Sequence, residues 1–165
     1  MSYIDKLENI RESFRPDKIR VLFVGEAIPA NNTFFYTEDS PLYKYTKEAF
    51  EEVFRNTEFT LDFFKEKGCY LFDLASQISG MTHKQKVNAI ALGIPKLAQL
   101  IMEEKPDYII STKGSNINAI VMANAEADDL VPQENIFDLP APILGSHHYY
   151  RDRLVQVLQE IYAAK

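Results

Sequence analysis

The sequence predicts an α/β fold: three α/β/α layers around a four-stranded parallel sheet, in a single domain spanning residues 1–165. Three observations predict it. Four short apolar runs, at 20–24, 69–74, 107–112 and 135–139, have the length and content of buried strands. Helical periodicities separate them, and strand–helix alternation favours parallel pairing with helices on both sheet faces. The chain has 165 residues, enough for one core and few for two.

The elements follow in order. Ile4, Leu7, Ile10 and Phe14 lie near helical spacing and predict an amphipathic N-terminal helix. Arg15-Pro16-Asp17-Lys18 breaks it before the first strand, whose apolar residues Val21 to Val24 are followed at once by Gly25 and Glu26. Ser40-Pro41 reads as an N-cap with proline at the first helical position. Leu42, Tyr45, Ala49, Phe50, Val53 and Phe54 then supply an apolar stripe. A short helical segment, TLDFFKEKG, ends in basic residues and glycine before the second strand. Thr82 with Gln85 resembles a capping box, and Gly93 with Pro95 is expected to kink or restart the helix it opens. The third strand precedes a helix over 115–125 with Ile117, Ile120 and Val121 inward. Pro140 ends the short fourth strand. Residues 151–164 close the chain as a helix with Leu154, Val157, Leu158 and Ile161 on one face.

Composition excludes several classes. No run of about 18 apolar residues is present, so no membrane partner is expected. The N-terminus carries charges of both signs and no apolar signal core, and a cytoplasmic location follows as an expectation. Cys69 is the one cysteine, which rules out an internal disulfide and a cysteine-rich cluster. His147 and His148 are adjacent, and neighbours seldom face the same side, so no metal and no cofactor are expected. A net charge of −6 weakens a reading in which the whole surface attracts nucleic acid, while leaving room for a local basic groove.

In open parallel sheets ligands sit beyond the carboxyl ends of the strands. That rule gathers Glu26, Asp73, Lys113 and the segment carrying His147 and His148 along one rim. Each has an ordinary structural alternative. Glu26 suits a solvated loop or a cap as well as a site. Phe34, Phe35 and Tyr36 suit core packing as well as a stacking platform. Asp73 suits a cap on the turn around Ser76. Lys113-Gly114-Ser115-Asn116 suits a plain strand-to-helix turn as well as an anion site, and it is too short for a Walker loop. His83, near a helix start, is expected to be exposed.

Gly25-Glu26-Ala27-Ile28-Pro29 at the end of the first strand resembles the first motif of the uracil-DNA glycosylase superfamily. FFY, SPLYKYTKEAF, GCYLFDLA, KPDYII and LPAPILGSHHYYRDRLVQVLQEI follow in the matching order. The similarity runs through nearly the whole chain after about Lys18 and is closest to short members of that superfamily without iron–sulfur cysteines. It implies a uracil-DNA glycosylase-like fold and hydrolysis of the N-glycosidic bond of uracil or another altered base, in base excision repair. The implied partner is DNA with a damaged or deaminated base. Glu26 matches the first-motif carboxylate, which positions water or stabilises positive charge on the sugar. His147 or His148 matches the late histidine that donates to the departing base. Phe35, then Phe34 and Tyr36, match the aromatic that stacks on an extruded base. Pro29 and Asp73, within the matching segments, and Lys113, from the strand-end rule, complete the expected substrate-binding set.

The departures are specific. Asp73 stands where uracil-excising members have an asparagine. An amide donates and accepts, whereas an ionised carboxylate only accepts and suits an exocyclic amine better than uracil O4. SHHYYRDR replaces the usual His-Pro-Ser, and the four cluster cysteines are missing. Two further readings therefore accompany the glycosylase: a catalytically inactive glycosylase-like domain binding a nucleobase or nucleic acid, and a hydrolase of small nucleosides. A basic stripe formed by Lys44, Lys47, Lys113, Arg151 and Arg153 would favour a polynucleotide, and an acidic rim a small molecule.

Overall fold

A computed structural model describes residues 1–28, 33–143 and 145–163. Pro29, expected at the site, and Ala164, the expected end of the last helix, lie outside the described residues. The element order is α1 (Tyr3–Ser13), β1 (Val21–Ala27), α2 (Pro41–Val53), α3 (Leu61–Glu66), β2 (Cys69–Ala75), α4 (His83–Glu104), β3 (Tyr108–Ser111), α5 (Ile117–Glu126), β4 (Ile136–Asp138) and α6 (His147–Tyr162). The strands form one all-parallel sheet in the order β2-β1-β3-β4. Six α-helices flank it among the described residues.

The central strand shows why the sheet is covered on both sides. Val21, Leu22, Phe23 and Val24 point alternately to the two faces, yet all are buried. Phe23 packs against Phe50 of α2 and Phe64 of α3. α4 lies so close to β2 that a Cβ at Gly93 would run into the Leu74 carbonyl. α1, α2, α3 and α4 all begin with side-chain caps: Ser2, Ser40, Thr60 and Thr82 accept from backbone N–H groups one turn on. Thr82 and Gln85 form both halves of the expected capping box.

Four expectations need correction. β1 does not stop at Val24: Gly25 pairs with Asp73 and Ala27 with Ala75, because β2 runs on beside it. Glu26 is thus a strand residue. α4 does not restart as a separate helix at Pro95: one helix runs from His83 to Glu104. The proline is on the exposed face, where water can satisfy the carbonyl it leaves unpaired, and buried Ile94, Leu97, Ala98 and Ile101 hold the helix to the sheet. α5 is preceded by a 3₁₀ turn at Gly114–Asn116, and it buries Ala119, Ile120 and Ala123 while Val121 faces solvent. α6 starts at His147, four residues before Arg151, so the histidine pair forms its first turn. Its expected face is buried at Leu154, Val157, Leu158 and Ile161.

Candidate functional site

The strand ends enclose a cavity of about 300 Å³. β1 contributes Gly25, Glu26 and Ala27, β2 contributes Leu71 and Asp73, and the end of β3 contributes Thr112 and Lys113. The wall comes from Thr33, Phe34 and Phe35, from the start of α2, and from Ala141, Pro142 and Ile143 after β4. Parallel strands all deliver their carboxyl ends to one rim, so residues far apart in sequence meet here without a special loop.

Glu26 receives an ion-paired hydrogen bond from Lys113: Nζ lies 2.7 Å from Oε2. The Glu26 side chain is 26% exposed and the Lys113 side chain 42%, so both reach solvent while facing each other. The same two residues border a second hollow of about 640 Å³ between α4 and α5, lined also by His83, Lys86 and Asn116.

Asp73 is held quite differently. Its Oδ2 accepts from Arg11 Nη2 at 2.9 Å, and the two side chains are 9% and 3% exposed. Arg11 also donates from Nη1 to the Leu71 carbonyl at 2.8 Å and pairs with Glu8 at 3.3 Å. Its guanidinium carbon lies 5.2 Å from the Phe34 ring centroid. Burial alone lowers the Arg11 pKa, but the charges of Asp73 and Glu8 outweigh it and raise the pKa above the ordinary value. Among the described residues no backbone N–H near Ser76 is capped by Asp73; the carboxylate serves Arg11 instead. Arg11 did not stand out as a site residue in the sequence. Its signal was there: an arginine four residues after Leu7, on the stripe that also carries Phe14.

The aromatic trio divides. Phe34 and Phe35 line the cavity while being buried. Phe35 is wedged between Tyr36, Tyr43 and Phe64, which fixes its ring. Tyr36 lies behind the lining, fully in the core, and its hydroxyl accepts from the Leu71 N–H at 2.8 Å. Burial drives its pKa well up.

The histidines lie outside the cavity lining. His147 is half-buried and stacks on Tyr45 of α2 at 4.8 Å between ring centroids, and His148 is exposed. The segment Ala141–Ile143 lines the cavity just upstream of them. His83 is exposed, as expected. Among the described residues no group of three or more His, Cys, Asp or Glu side chains is arranged to hold a metal ion.

The cations of the anticipated basic stripe are largely engaged. Lys47 pairs with Glu51 at 2.8 Å, Arg151 with Asp152 at 3.0 Å and Glu48 at 3.8 Å, and Lys113 with Glu26. Lys44 lies over the Tyr45 ring, and Arg153 bonds Gln156. No helix among the described residues is long and apolar enough to cross a membrane. No protein-family model and no curated protein matches the chain.

Proposed function

We propose that the strand-end cavity receives a nucleobase and that the protein hydrolyses its N-glycosidic bond, as the likeness to uracil-DNA glycosylases implies. The observation that carries this reading is the position of Glu26: an accessible carboxylate in a small cavity that also presents Phe34, Phe35 and Asp73. As the C–N bond lengthens, positive charge develops at the sugar C1′. Glu26 stabilises that charge and orients the attacking water. The base leaves with the bonding electron pair, water gives C1′ its hydroxyl, and the remaining proton ends on the base. Lys113 holds Glu26 in place and offers an ammonium donor in the same cavity. In this scheme His147 or His148 assists the departing base only if the start of α6 turns towards the cavity.

A second reading has its own support. With a net charge of −6 and Lys47, Lys113 and Arg151 paired with carboxylates, the positive charge available to a phosphate backbone is reduced. That favours a free nucleoside or nucleobase over DNA, whether cleaved or only bound.

A base-release assay tests both. The panel is free nucleosides, nucleotides, and single- and double-stranded oligonucleotides carrying uracil, hypoxanthine, xanthine or oxidised bases. Release from at least one substrate is expected. Glu26→Gln should then lower the single-turnover rate by roughly 100- to 1,000-fold with a smaller change in affinity, as for other preorganised electrostatic groups. An unchanged rate in that variant removes Glu26 from the chemistry. Release from nucleosides but not oligonucleotides selects the second substrate class.

A further inference from the structure

The geometry around Asp73 points to a specific class of base, one that presents an exocyclic amine, of the cytosine or adenine type, rather than a carbonyl at that edge. This rests on the proposed nucleobase site and specifies its ligand.

Asp73 lines the cavity with a side chain 91% buried. Oδ2 is committed to Arg11 at 2.9 Å. Oδ1 lies over Gly25, close enough that a Cβ there would collide with it, and it has no hydrogen-bond partner among the described residues. Gly25 lines the same cavity. The cavity therefore contains one carboxylate oxygen held in direction by its neighbours and without a donor among the described residues.

The fixation comes from three sides. Arg11 holds the carboxylate through Nη2 and is itself anchored by the Leu71 carbonyl and Glu8. Phe34 lies against the guanidinium and faces the cavity, so the aromatic wall and the acceptor are built on one cation. The strand register places Asp73 directly beside Gly25. Turning Asp73 to accommodate a different ligand would take the buried guanidinium's 2.9 Å carboxylate contact away, a costly change.

An ionised carboxylate oxygen accepts and cannot donate. An amine N–H facing Oδ1 forms a charge-assisted hydrogen bond. A ring carbonyl in the same place meets a second acceptor, leaves both oxygens without a donor, and is repelled. Sites that hydrogen-bond one pattern reject the other because buried groups are left unpaired. Gly25 completes the device: any larger residue would cover or displace Oδ1.

The test is binding of free bases to the intact protein, by calorimetry or ligand-observed NMR. Cytosine and adenine should bind at least about tenfold more tightly than uracil and hypoxanthine. Asp73→Asn, with folding verified by circular dichroism, should reduce that preference to within about twofold, because an amide can meet either edge. Loss of the charge opposite Arg11 could prevent that variant from folding, so Gly25→Ala provides a second probe. It keeps a carboxylate opposite Arg11 while displacing Oδ1 and, with folding verified in the same way, should abolish the preference for amino bases. Uracil binding as tightly as cytosine to the parent protein, or no binding of either base up to millimolar concentration, overturns the inference. Preferential binding of cytosine without release of any base from any substrate leaves this inference standing and removes the hydrolytic reading. Release of uracil as fast as of cytosine does the reverse.

Discussion

Glu26, Lys113 and Asp73 line the same cavity, with Arg11 behind Asp73, and burial decides what the Lys113–Glu26 and Arg11–Asp73 pairs each contribute. The first pair is short, 2.7 Å, but its side chains are 42% and 26% exposed. Water screens it, and such pairs contribute at most about 1 kcal/mol to stability. Lys113→Ala should therefore leave the urea midpoint almost unchanged, and any effect should appear in base binding or release. A large stability loss in that variant would show that Lys113 carries packing as well as charge. The second pair is nearly dry, at 3% and 9% exposure. Removing one partner leaves a buried charge uncompensated, at a cost of roughly 3–5 kcal/mol. Arg11→Met should lose about that much by urea unfolding. A near-neutral result would mean that water reaches Asp73 freely, and the fixed-acceptor description would fail with it.

At the scale of elements, the contact between α4 and β2 is the tightest constraint. By helix propensity alone, Gly93→Ala should stabilise α4 by about 1 kcal/mol. The structure reverses the sign, because the new methyl would meet the backbone carbonyl of Leu74 rather than a flexible side chain. The helix would have to shift off the sheet, and overpacking of this kind costs roughly 1–3 kcal/mol. Thermal unfolding of Gly93→Ala should show destabilisation, and a raised melting temperature would contradict the packing. The same helix shows what a sequence can and cannot convey. Its capping box at Thr82 and Gln85 is local chemistry and was legible, as were the four apolar runs that became strands. The continuity of α4 through Pro95 was not, because it depends on which face of the helix meets water. The extension of β1 to Ala27 depends on a partner strand, and the early start of α6 at His147 has no side-chain cap to announce it. At the site, the strand-end rule brought Glu26, Asp73 and Lys113 to one cavity. It could not find Arg11, whose partner Asp73 is 62 residues away and whose role exists only once α1 has docked.

Across the whole molecule, burial of weak acids sets a limit on alkaline stability. Burial raises the Cys69 thiol from 9.0 to about 12, and Tyr43 from 10.0 to about 12. It also drives up Tyr36, Tyr70, Tyr150 and Tyr162. These groups are neutral when protonated, so the fold favours the protonated form. Above the unfolded-state pKa of each group, the unfolded chain binds fewer protons than the fold, and stability then falls with rising pH. For Cys69 that window opens near 9 and closes near 12, with a slope of roughly 1.4 kcal/mol per pH unit. For Tyr43 it opens near 10. Urea midpoints measured in steps from neutral pH upward should hold steady with respect to these groups until about 9, then decline more steeply as the tyrosines of the unfolded chain join in. Cys69→Ala should remove the first part of that decline, between about 9 and 10, and leave the tyrosine part in place. It should do so even though it also costs some packing at every pH, because a packing loss is independent of pH and a titration is not. An unaltered slope in Cys69→Ala would mean that the thiol ionises as readily in the fold as in the unfolded chain, which is incompatible with its burial beneath the Tyr162 hydroxyl at 3.3 Å.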